Sequence, residues 1–145
     1  MAFRFPMQKI LDYRVQLEEE AKVRLAEAQR NLQVARHHME VLRRELRGTL
    51  DRISALPPEN INERWLTECY ARGLQVDAAQ GAVQVTMLTQ IVEDARKLLT
   101  ARAVDRKMLE KLKERQRIRH DHDERLKEQR INDETATLRY KAPAF

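Results

Sequence analysis

The stretch Met39-Glu40-Val41-Leu42-Arg43-Arg44-Glu45-Leu46-Arg47-Gly48-Thr49-Leu50-Asp51-Arg52-Ile53-Ser54-Ala55-Leu56-Pro57-Pro58-Glu59-Asn60 holds both a helical seam and the signal that ends it. Met39, Leu42, Leu46, Thr49 and Ile53 recur at alternating steps of four and three. That rhythm keeps one narrow apolar face toward a partner helix, as in a coiled coil. Pro57 and Pro58 then stop the helix, because proline lacks an amide donor, clashes with the preceding turn and disfavours helix in the residue before it. A loop this short forces the next helix to run back antiparallel.

Upstream, the same steps continue through Leu25, Ala28, Leu32 and Ala35. Ile10, Tyr13, Leu17 and Ala21 define the first stripe, and the spacing of four and four across Leu17, Ala21 and Leu25 reads as a stutter that locally unwinds a supercoil. Phe3, Phe5 and Pro6 form an apolar lead-in, with the helix starting near Met7 or Gln8. Downstream, Asn60 or Asn62 caps the second helix, with Glu63 in its first turn. Its expected seam runs through Leu66, Cys69, Gly73, Val76, Val83, Leu88, Ile91, Ala95, Leu98, Asp105, Leu109 and Leu112. Around Gly73 and Gly81 the seam weakens, predicting either loose packing or a close approach. No comparable breaker follows until Pro143.

The predicted fold is therefore all-α: two long helices forming an antiparallel coiled-coil hairpin, with the second helix longer and overhanging. Residues 1–145 are expected to form a single coiled-coil domain, with helix one at about 8–55, the hinge at 56–60 and helix two at about 61–138. At about 1.5 Å per residue, the start of helix one falls opposite residues 105–110, leaving about 25 to 30 residues over. Composition agrees. Charged residues make up 35% and aromatics 5% of 145 residues, with only 3 Gly and 4 Pro, too few turn formers for a strand-rich fold.

Several function classes are disfavoured. Gly48, Gly73 and Gly81 stand isolated, so there is no phosphate-binding loop. His37 with His38, and His120 with His122, are spaced to point to different sides of a helix, which predicts four solvated histidines and no metal site. Cys69, the single cysteine, has no histidine nearby in sequence and reads as a half-buried structural thiol. No enzyme activity and no cofactor are expected. The opening residues lack a signal-peptide core, and no run reaches the ~18 apolar residues of a membrane span. A cytoplasmic chain without direct membrane insertion is expected.

The overhang has the most patterned charge. Arg102, Arg106, Lys107, Lys111, Lys113, Arg115, Arg117 and Arg119 give way to Asp121, Asp123, Glu124, Glu128, Asp133 and Glu134. A lone helix of this kind is marginal in water and suits an end built to enter something else. The net charge of +5 also leaves open a nucleic-acid-binding arm at Arg102–Arg119, with steeply salt-dependent affinity. Interspersed Asp105, Glu110 and Glu114 oppose that alternative, and no nucleic acid is expected. Phe3 and Phe5 either staple onto Tyr13 or bind a partner, and Trp65 either plugs the hinge or is an exposed anchor.

The run Phe3-Arg4-Phe5-Pro6-Met7-Gln8-Lys9-Ile10-Leu11-Asp12-Tyr13-Arg14 resembles the opening of the FliJ family of flagellar type III export proteins. So do Arg106-Lys107-Met108-Leu109-Glu110-Lys111-Leu112-Lys113-Glu114-Arg115, then Glu128-Gln129-Arg130 and Asp133-Glu134, with Trp65-Leu66, Tyr70 and Gly73-Leu74 between. The resemblance implies a non-enzymatic stalk, similar to that of rotary ATPases. Such a stalk inserts its terminal end into a hexameric export ATPase and promotes its assembly and activity. It also links that ring to a membrane-embedded export gate and to export chaperones. It implies ATPase contacts at Phe3, Phe5, Leu11, Tyr13, Arg14, Glu128, Gln129, Arg130, Asp133 and Glu134, and gate contacts at Tyr70 and Leu74. The expected place is the cytoplasm, peripheral to the inner-membrane export apparatus. The equivalent stalk of a virulence secretion system remains an alternative.

Overall fold

The computed structural model describes residues 1–140, so Pro143 lies outside the described residues. Two helices make up the fold, α1 (Gln8–Ala55) and α2 (Ile61–Arg139), with no strand among the described residues. They pack antiparallel as an all-α hairpin. Between them, the Leu56 amide closes the last turn of α1 on the carbonyls of Arg52 and Ile53. Asn60 is the cap of α2: its carbonyl accepts from the Arg64 amide, and its side-chain amide donates to the Glu63 carboxylate at 3.4 Å.

The residues of α1 that face its partner are Leu11, Arg14, Glu18, Ala21, Leu25, Ala28, Leu32, Ala35, Met39, Leu42, Leu46, Thr49 and Ile53, all buried or half-buried. Their steps of three and four never break. The expected stutter is therefore absent, and Ile10 and Tyr13 are exposed. Two charged residues, Arg14 and Glu18, occupy seam positions, so a search for apolar side chains slips to the neighbouring stripe.

A similar correction applies to α2. Leu66, Cys69, Gly73, Val76, Val83 and Ile91 are exposed, and Thr67, Ala71, Leu74, Ala78, Gly81, Val85 and Val92 take their place, while the expected Leu88, Ala95, Leu98, Asp105, Leu109 and Leu112 are buried or half-buried. Cys69 is thus an exposed thiol rather than a half-buried one. Small side chains carry the inner face because the helices come close there. A Cβ placed at Gly81 would collide with the Met39 thioether, whereas at Gly73 it would meet only open space.

The chain divides into two compact units: Met1–Glu18 with residues from Ala101 onward, and Glu19–Thr100. In Glu19–Thr100, Ala28, Leu32 and Val92 form one core cluster, and Met39, Leu42 and Leu74 form another. The Tyr70 hydroxyl joins the helices by donating to the Glu45 carboxylate. That bond, then desolvation, holds the phenol above its ordinary range. Trp65 is exposed rather than plugging the hinge.

Candidate partner-binding surface

The unit that holds the N-terminal residues is organised around a core of Phe5, Leu11 and Leu109, with Phe3, Met7 and Leu112 packed against it. Pro6 keeps the lead-in out of the helix, and the Phe5 carbonyl accepts from the Gln8 amide at 3.1 Å to start α1. Around this apolar centre, polar bonds fix the register. Arg14 Nη1 donates to the Asp105 carbonyl at 2.9 Å, and Lys113 Nζ donates to Gln8 Oε1 at 2.7 Å. Arg106 donates to the buried Glu18 carboxylate and, at 2.7 Å, to Glu110. These bonds, Glu18 first, lift the Arg106 guanidinium further above its already high range, so it stays charged.

The lead-in then lies along α2. The Phe3 ring sits 5.5 Å from the His120 ring, centroid to centroid, at an interplanar tilt of 52°. The Met1 ammonium is 3.8 Å from Glu124. His120 is therefore not the solvated histidine its spacing predicted. It is half-buried, Nδ1 has no hydrogen-bond partner, and Nε2 is 3.8 Å from Glu124. The start of α1 lies opposite Lys113, past the expected 105–110. Five extended residues cover about 16 Å, the length of about eleven helical ones, and so carry the pairing on to Glu124.

Past Glu124, α2 continues to Arg139 with every residue exposed except Thr135, whose hydroxyl donates back to the Ile131 carbonyl at 2.8 Å. The anticipated partner-binding residues thus fall into two groups. Phe3, Phe5, Leu11 and Arg14 come together against α2, where they are buried or half-buried, while Tyr13 beside them is 60% exposed. Glu128, Gln129, Arg130, Asp133 and Glu134 are exposed on the single helix and do not touch the first group. Of Tyr70 and Leu74, Tyr70 is half-exposed and Leu74 is buried against Met39 and Leu42, so the two do not share an outward face.

Reading the sequence for apolar residues overlooked Glu18, Arg106 and His120. A charged residue at a seam position gives a signal only once both helices are in register.

A model of the flagellar FliJ proteins matches residues 3–144. The chain belongs to the FliJ family. No curated protein and no solved structure matches it. Membership makes this FliJ chain a flagellar component connected with protein export. The match covers the lead-in, the hinge and the exposed end of α2 alike. Among the described residues of this FliJ chain, no helix is long and apolar enough to cross a membrane, and no group of three His, Cys, Asp or Glu is placed to hold a metal ion.

Proposed function

We propose that this FliJ chain is a non-catalytic, stalk-like part of the flagellar export apparatus that inserts its terminal end into a hexameric export ATPase. There it promotes ring assembly and turnover, and it links the ring to the export gate and to export chaperones. The reading places the protein in the cytoplasm, peripheral to the inner membrane. One observation supports it above the others: a bolted end from which a single charged helix protrudes. Phe5, Leu11 and Leu109 anchor the end, and residues 125–139 extend beyond it without a partner helix. A protruding helix with charges of both signs suits a polar, ring-shaped socket, where complementary charge fixes register more than affinity.

The ring contacts fall to Tyr13 and to Glu128, Gln129, Arg130, Asp133 and Glu134, which are exposed. Phe3, Phe5, Leu11 and Arg14 support them from beneath. Tyr70 remains the gate contact of this reading, with Leu74 holding the helix behind it.

The test is a binding and turnover assay with the cognate flagellar ATPase. Full-length protein is expected to bind and stimulate it. A chain ending at Glu124 should keep its helical hairpin by circular dichroism and lose stimulation. Full stimulation by the shortened chain, or none by the full-length protein, overturns the reading.

A further inference from the structure

Within Glu19–Thr100, α2 carries a second stripe on its outer side. Leu66, Cys69, Gly73, Val76, Gln80, Val83, Met87 and Gln90 repeat at three and four residues, like the seam, and all are exposed. From Cys69 onward each lies two residues from a seam position, about 200° around the helix. The side opposite a coiled-coil seam is normally its most charged, yet from Gly73 to Val92 the only charged residue is Asp77. The outer face of α1 differs: Val34 and Val41 there are interspersed with Glu27, Arg30 and Arg44.

An apolar stripe with a heptad period fits another helix lying alongside. A membrane surface is a poor match, because interfacial helices flank their apolar face with Lys and Arg. We propose that the occupant is a second copy of this chain, packed α2 against α2 in antiparallel sense about a two-fold axis beside residues 81–82.

Charge selects that register. It sets Val83 against Gln80 of the second copy and Met87 against its Val76, and the symmetry makes each contact occur twice. On the flanks it brings Arg72 opposite Glu93 of the second copy, while Asp77 meets the uncharged Gln84. A slip of one heptad either way loses the Arg72–Glu93 pairs, and in one direction it also sets the two Asp77 side chains against each other. Parallel pairing sets Asp94 against Asp94 and Lys97 against Lys97. From Arg72 to Glu93 the contact strip is about 32 Å long and about one helix wide, covering on the order of 400 Å² per copy. That size belongs to reversible association rather than to an obligate dimer.

The experiment is sedimentation equilibrium of the full-length protein under reducing conditions over a wide concentration range. A monomer–dimer equilibrium is expected. Val83→Lys should keep full helicity and raise the dissociation constant at least tenfold, while Val34→Lys on α1 leaves it unchanged. Glu93→Arg should weaken association, and adding Arg72→Glu should restore it. A monomer at every concentration overturns the proposal, including the outcome in which Val83→Lys instead blocks an export partner. So does a dimer indifferent to Val83→Lys, or loss of helicity in that variant. Rapid disulfide dimerisation through Cys69 on mild oxidation overturns it as well, since the proposed register holds the two Cys69 thiols about 37 Å apart along the helix.

Discussion

Arg106 of α2 reaches across the seam to the buried carboxylate of Glu18 on α1, and on its own helix to Glu110. A charge pair here replaces the apolar layer that a coiled coil normally has, and removing one partner leaves the other charge in the seam. Arg106→Met is expected to lower the melting temperature more than Glu110→Ala does. The double variant Glu18→Leu/Arg106→Met should recover most of that loss, because a matched apolar layer replaces the pair. Thermal unfolding followed by circular dichroism checks this. A double variant no more stable than Arg106→Met alone would refute coupling between Glu18 and Arg106.

The corrected register of α1 separates two neighbouring residues. Leu11→Ala removes a side chain from the core it forms with Phe5 and Leu109 and should cost about 2–4 kcal/mol. Ile10→Ala, on an exposed position, should cost below about 1 kcal/mol. Urea denaturation distinguishes them. Equal losses, or a larger one for Ile10, would restore the stripe expected from sequence.

Two glycines of α2 should respond in opposite directions. At Gly73 an added methyl meets nothing, so Gly73→Ala is expected to stabilise by about 0.5–1 kcal/mol through helix propensity. At Gly81 the same methyl displaces the buried Met39 side chain, and Gly81→Ala should lower the melting temperature. A parallel pair of melts decides it. A stabilised Gly81→Ala would mean that Met39 swings clear without loss.

Tyr70 gives the unit a dependence on alkaline pH. Its folded pKa is raised above the ordinary tyrosine range, chiefly by the hydrogen bond to Glu45. A group with a raised folded pKa contributes stability that is fully present below its unfolded pKa and lost as pH climbs through the folded one. Tyr70→Phe should therefore abolish a loss of stability seen in the wild type above about pH 10. The difference between wild-type and variant ultraviolet titrations should show one tyrosine ionising late. A Tyr70 that ionises early would mean that the Glu45 bond does not form.

Both helices and their hinge are legible in the residues themselves. Gln8–Ala55 follows from the apolar period between Pro6 and Pro57, and Ile61 starts directly after the Asn60 cap. The phase of each seam was less so. In α1, Arg14 and Glu18 pair with groups 91 and 88 residues away, beyond the reach of any local pattern. In α2, two stripes share one period, and the one with larger side chains is the outer one. Close approach favours Ala71, Ala78 and Gly81 within, a preference that hydrophobicity ranks the wrong way round. At the candidate site, the lead-in pattern pointed to Phe3 and Phe5. Their docking beside His120 depends on an extended backbone that helical geometry does not anticipate.

The smallness of the inner side chains has a calorimetric consequence. Among the described residues no large side chain is fully buried. Unfolding therefore hydrates little new apolar surface, and its heat-capacity increment should fall below the ~12–15 cal/mol/K per residue of compact domains. A small increment flattens the stability curve. This hairpin should hold a nearly constant margin over a wide range of temperature and melt gradually, its warm and cold limits set far apart.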